Sequence, residues 1–166
     1  MKGFIVLLLG LTSISCSGQQ SNKVKISEKQ SNEPKTYPIQ KSDAQWRAEL
    51  SEMAYYVLRE SGTEPQNSSD LLHIKKSGTF VCAGCGTPLF DSKNKYESGS
   101  GWPSFDREKK GNVAYSIDHS FGMRRVEEHC AVCGGHLGHV FEDGPRQTTG
   151  KRHCINGAAL KFIPEE

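Results

Sequence analysis

The sequence has no block of like charge, no internal repeat and no apolar run long enough to cross a bilayer. Each absence removes a class of function. Its 21 Lys and Arg are intermingled with 19 Asp and Glu, for a formal net charge of +2. There is accordingly no basic stripe or amphipathic basic helix to grip a phosphate backbone or a membrane surface, and nucleic acid binding has no support. The glycine-rich stretch ESGSGWPSF, residues 97 to 105, lacks a GK[ST] ending and a following helix start, which argues against a phosphate loop. With 35% hydrophobic and 24% charged positions among 166 residues, the chain suits one soluble domain with extensions.

The one sustained apolar run, Phe4 to Leu11, follows Lys2 and precedes TSIS and Cys16. That is the order of a bacterial export signal. A lone Cys directly after such a run resembles the lipobox of bacterial lipoproteins, with Ser13 where that pattern usually has Leu. The expectation is a signal over 1–15, a lipidated Cys16, and a protein exported to the cell envelope whose only membrane contact is the lipid. Simple secretion and a retained signal anchor are the other readings. Residues 16–41 are mostly Ser, Gln, Asn, Lys, Glu and Pro, too polar to bury a core, and read as a flexible tether.

The folded unit is expected over 42–166. Ser42-Asp43-Ala44-Gln45 is a capping box, and Trp46, Leu50, Met53, Ala54, Val57 and Leu58 then share one face of a helix that should end near Ser61-Gly62. Beyond it the apolar runs are short and punctuated by Gly and Pro, as in a mostly antiparallel β body.

Two cysteine pairs carry the clearest chemistry. Cys82-Ala-Gly-Cys85-Gly86 and Cys130-Ala-Val-Cys133-Gly134 are both CxxC followed by Gly. Each pair can supply one edge of a tetrahedral zinc site, and the glycine permits the tight turn that aims backbone N–H groups at thiolate sulfur. Four thiolates leave no open position for water, so such a metal would be structural. Two disulfides, or a redox-active CxxC, are the competing readings in an oxidising compartment.

Cys154 stands alone in KRHCING. In an extended strand Arg152, Cys154 and Asn156 share one face, and His153 and Ile155 the other. A guanidinium beside a thiol favours the nucleophilic thiolate, and an Asn amide can orient a substrate oxygen or a His. A buried core thiol is the bland alternative. In HLGHVFED, His136 and His139 would face opposite ways along a regular strand, but the preceding glycines permit a bend that gathers both into one pocket as general acids. Zinc ligation or a structural role would also account for them. Trp102-Pro103 reads as a packed corner, or as a rigid apolar wall for a thioether methyl.

CAGCG, SGSGWPSF, CAVCGGHLGHVFEDGP and KRHCINGAALKF, in that order, closely resemble the methionine-R-sulfoxide reductase B family, from about Asp43 to Pro164. The resemblance implies a mainly β fold of two antiparallel sheets with a short N-terminal helix and one structural Zn2+ on Cys82, Cys85, Cys130 and Cys133. It implies reduction of methionine-R-sulfoxide in oxidised proteins and peptides. Cys154 would be the nucleophile that becomes a sulfenic acid and His139 the acid at the sulfoxide oxygen, with His136 assisting. Asn156 and Arg152 would position that network, Asp143 would balance the Arg152 charge, and Trp102 would receive the methyl group. Many relatives carry a recycling cysteine at the position of Ser100; without it, an external thiol reductant such as a thioredoxin-like protein is expected to regenerate Cys154. A second departure is TEPQNSSD, where relatives often have an aromatic residue, near Gln66 to Asp70. Two other functions fit parts of the chain. A zinc-ribbon interaction module explains the knuckles, and an exported CxxC thiol oxidoreductase explains the signal.

Overall fold

Short strands punctuated by glycine and proline pair here into two antiparallel sheets. The computed structural model describes residues 36–166; the expected signal over 1–15, Cys16, and the expected tether as far as residue 35 lie outside the described residues. β1 (Gly78–Cys82), β2 (Pro88–Asp91) and β9 (Leu160–Pro164) form a three-stranded sheet in the order β2-β1-β9. The six-stranded sheet takes β3 (Lys95–Tyr96), β4 (Ser104–Phe105), β5 (Val113–Asp118), β6 (Arg125–Cys130), β7 (His136–Phe141) and β8 (Arg152–Ile155), in the order β3-β4-β8-β7-β6-β5. Among the described residues no helix is long and apolar enough to cross a membrane.

The expected single helix is two. α1 (Asp43–Glu49) opens on the Ser42 capping box, in which Ser42 Oγ accepts from Gln45 N and Gln45 Oε1 accepts from Ser42 N at 2.8 Å. Leu50 is extended, and Ser51 caps a second helix, α2 (Glu52–Glu60), by accepting from Ala54 N at 3.2 Å. A serine cap competes with helix continuation, so the phase resets at Leu50 and Met53 turns outward, 40% exposed. Ala54, Tyr55, Val57 and Leu58 supply the buried face. The C-cap is Ser61 in the left-handed conformation, where the helix was expected to end.

The core lies between the sheets and α2. Phe90 stacks on Phe105 with ring centroids 4.4 Å apart, Phe80 meets Phe105 edge-on at 5.0 Å, and Leu89, Leu137, Ile155 and Val57 are fully buried around them. Burying one such side chain contributes roughly 1.5–3 kcal/mol. Chain packing begins before residue 42: Ile39 N donates to Val132 O at 2.9 Å, and the Tyr37 ring meets His129 edge-on.

Candidate active site

Strand register builds the site. On one face of the six-stranded sheet, Ser116, Glu127, His139, Cys154, Ser104 and Tyr96 stand directly opposite one another from β5 across to β3. Directly opposed residues have Cβ atoms about 4.5–5.5 Å apart, so His139 and Ser104 flank Cys154. Two residues along each strand is a second row, with Asp118 opposite Arg125 and Phe141 opposite Arg152. As expected, β8 alternates: Arg152 and Cys154 are half-buried while His153 and Ile155 are fully buried behind them.

The histidines converge because β7 carries a bulge. Glu128 opposes Gly138 but His129 opposes His136, so Leu137 is an extra residue that turns His136 towards the side of His139. Their rings meet edge-on at 5.5 Å. His136 Nδ1 bonds Glu127 Oε1 at 2.7 Å, which holds that carboxyl down to about 2. His139 Nε2 bonds Asp118 Oδ2 at 2.8 Å. The Ser120 backbone N–H, then His139 and Arg125, keep Asp118 well below the usual carboxylate range. An ionised Asp118 fixes the Nε2–H tautomer of His139. Burial is the larger influence on the ring and lowers its pKa on balance. Gly138 lets β7 pass close beneath β8, because a Cβ there would lie 2.0 Å from Cys154 O.

Arg152 was expected to favour a Cys154 thiolate, and burial opposes it. Burial raises the Cys154 thiol, and the opposing influences of Ser100 and Arg152 do not overcome it. Arg152 is committed elsewhere: Nε and Nη2 each donate to Asp143 at 2.8 Å, and the guanidinium lies 4.4 Å over the Phe141 ring. Ser100 Oγ is 3.7 Å from Cys154 Sγ and belongs to a hydroxyl cluster with Ser98 and Ser104.

Asn156 is buried, with both ends of its amide on backbone: Nδ2 donates to Leu137 O at 3.0 Å and Oδ1 accepts from Glu64 N at 3.0 Å. Glu64 escaped the sequence reading. Its buried carboxylate accepts from Gly157 N at 2.5 Å and Ala158 N at 2.8 Å, and its carbonyl accepts from Trp102 Nε1 at 3.2 Å. One residue thus ties the Trp102 indole to the turn after Cys154. A charged residue in a polar loop gives no local signal of this, because its partners lie 38 to 94 positions away. Glu127 and Asp118 were missed because their histidine partners reach them through strand pairing, which local spacing does not show. Gln66, in the divergent loop, packs over Gly101 and donates to Ser100 O at 2.9 Å, so that loop borders the site.

The four other cysteines among the described residues, Cys82, Cys85, Cys130 and Cys133, form one cluster, with all sulfurs within 4.8 Å of one another. Cys82 and Cys133 sulfurs are 3.7 Å apart, and those of Cys85 and Cys130 3.5 Å. Tetrahedral zinc–thiolate bonds put sulfurs about 3.8 Å apart, so the cluster fits a metal, and these separations are far too long for disulfides. Gly86 and Gly134 take positive φ at the ends of the two knuckles. Crowding raises Cys82 and lowers Cys85, in each case first through hydrogen bonding with Cys130, so neighbouring sulfurs share protons that a cation would displace. Leu58 wedges against both knuckles at Gly84 and Gly135, and Arg59 Nη1 donates to Cys133 O at 3.1 Å.

Residues 50–164 match the family model described as the SelR domain. The chain is 53% identical over 130 residues to a peptide methionine sulfoxide reductase MsrB of Leptospira interrogans, covering 78% of this chain and 98% of that protein. It is 53% identical over 126 residues to the MsrB of Bradyrhizobium diazoefficiens, covering 75% and 90%. With the MsrB of Methanosarcina mazei it shares 48% identity over 129 residues, covering 77% and 91%. On this extent of similarity, the chain belongs to the SelR-domain family of peptide methionine sulfoxide reductases, MsrB.

Proposed function

We propose that this oxidoreductase returns methionine-R-sulfoxide in peptides and proteins to methionine with Cys154 as the attacking residue. The observation that carries the reading is the direct opposition of Cys154 and His139, with His139 anchored on the Asp118 carboxylate. A nucleophile, a base beside it and a third group that orients the base is the arrangement covalent catalysis needs.

Sulfoxide oxygen leaves poorly unless protonated, and protonation makes the sulfur more electrophilic. With the thiol raised and the imidazole lowered, the resting pair is neutral. The proton the substrate oxygen needs is therefore the one Cys154 carries, passed through His139. Atoms and electrons balance: the Cys154 thiol and the methionine sulfoxide become a Cys154 sulfenic acid and the methionine thioether, the oxygen passing from one sulfur to the other. The methionine sulfur gains the two electrons that the cysteine sulfur loses. His136, held by Glu127, extends the same proton network. Arg152 with Asp143, Asn156 and Trp102 shape the pocket, Trp102 as the wall for the methyl group.

Zn2+ on Cys82, Cys85, Cys130 and Cys133 would serve structure alone, since four thiolates close its coordination. A thiol from outside then regenerates the enzyme. It forms a mixed disulfide with Cys154 and releases water, and a second thiol frees Cys154. Ser100 in place of a possible second thiol supports this, and a thioredoxin-like protein is the class of reductant proposed. The apolar run before Cys16 supports a lipid anchor, and hence repair of oxidised proteins of the cell envelope. The test offers R and S epimers of a methionine sulfoxide peptide separately, with a dithiol. Turnover of the R epimer alone, abolished in Cys154→Ser, is expected; equal reduction of both epimers, or of neither, overturns the reading.

A further inference from the structure

The loop between β5 and β6 carries two large apolar side chains into solvent: Phe121 is 87% exposed and Met123 51% exposed. Scattered exposed apolar residues are ordinary, but these sit at the edge of the catalytic face. Asp118, which anchors His139, ends β5, and Arg125, which bonds Asp118 at 2.6 Å, begins β6. The Phe121 backbone lies in the left-handed region at φ 55, a conformation that aromatic residues rarely adopt and that tends to persist where function requires it.

The second row of the face continues this patch. The Arg125 guanidinium lies 5.8 Å from the centre of the Phe121 ring, and the Arg152 guanidinium lies 4.4 Å over Phe141. Phe121, Arg125, Phe141 and Arg152 thus form a stripe of rings and flat guanidinium groups beside the His139–Cys154 row. Both guanidinium charges are already met, by Asp118 and Asp143. A carboxylate-rich ligand would therefore gain little here, whereas apolar side chains would gain contact with rings and weakly hydrated guanidinium faces.

We infer that the Phe121–Met123 tip and the stripe beneath it are the docking surface for the substrate polypeptide, gripping apolar residues that flank the oxidised methionine. The inference rests on Cys154 being the reacting group on this face. It makes the enzyme selective for oxidised methionines in apolar surroundings, such as locally unfolded core segments, over those in polar loops.

The test compares two peptides identical except that the residues on both sides of the methionine-R-sulfoxide are Leu in one and Ser in the other. Wild-type protein and Phe121→Asn are compared, because Asn tolerates the left-handed backbone and keeps the loop's shape. The wild type is expected to favour the Leu peptide about five- to tenfold in kcat/KM, mostly through KM, and the variant to lose that preference. An equal preference in both proteins, or none in the wild type, overturns the inference. So does a wild-type dimer in light scattering that Phe121→Asn dissociates, since the tip would then be covered by a second copy. Cys154→Ser separates the two claims: turnover surviving in that variant refutes the nucleophile assignment, while the Leu-to-Ser ratio still reports on docking.

Discussion

Burial moves the Cys154 thiol up and the His139 imidazole down, so the two groups hold one proton between them across the neutral range. The signs fix a pH profile. Below the lowered His139 value the ring is protonated and can no longer take the thiol proton, and above the raised Cys154 value the shared proton is gone. kcat/KM for a sulfoxide peptide is therefore expected to stay flat through the neutral range, to fall in acid below the ordinary imidazole range and to fall in base above the ordinary thiol range. A rate that rises steadily into acid would contradict a neutral resting pair. Sequence made some of these residues legible and hid others. Cys154 and Arg152 share a face because strand alternation is local, whereas the outcome of burial against the guanidinium depends on Asp143 reaching Arg152 from a separate loop. Glu64 is the extreme case: its partners are the turn after Cys154 and the Trp102 indole, and no local pattern marks it.

β7 shows how an element carries the site. A regular strand would set His136 and His139 on opposite faces, and the Leu137 bulge removes that conflict. The possibility of a bend was legible in the glycines, but its position depends on how β6 pairs. Gly138 is the pressure point. Replacing it with Ala puts a methyl group into the Cys154 carbonyl and should force β7 and β8 apart, at a cost of roughly 1–3 kcal/mol. Denaturant melts of Gly138→Ala should show that loss, together with at least a tenfold drop in kcat/KM as His139 and Cys154 separate. Unchanged activity would mean that their opposition is not what the chemistry uses. At the N-terminal helices the sequence reading failed for a physical reason: the apolar spacing continued through Leu50, but Ser51 offered a second cap and the chain took it.

Across the whole molecule, the four cysteines join what would otherwise be two sheets sharing a core. Cys82 and Cys85 belong to the β1–β2 turn of the small sheet, Cys130 and Cys133 to the β6–β7 turn of the large one. That connection was legible as ligand chemistry from CxxCG spacing, and the two antiparallel sheets were expected from the family resemblance, but which sheet each pair belongs to depends on strand pairing that local spacing does not show. Metal binding to thiolates is folding free energy, so the proposed Zn2+ predicts that a strong chelator lowers the melting temperature by more than about 10 °C and blurs the transition. An unchanged melt would leave the cluster without a structural role. The proposed reaction turns on Cys154 receiving the substrate oxygen while the four other described cysteines stay in their own cluster. One equivalent of methionine-R-sulfoxide peptide, given to the reduced protein without reductant and followed by mass spectrometry, measures this directly. One methionine formed per chain and one added oxygen on Cys154, trapped by a sulfenic acid reagent, are expected. An internal disulfide involving Cys154, or methionine formed with Cys154 still reduced, would contradict the proposed reaction.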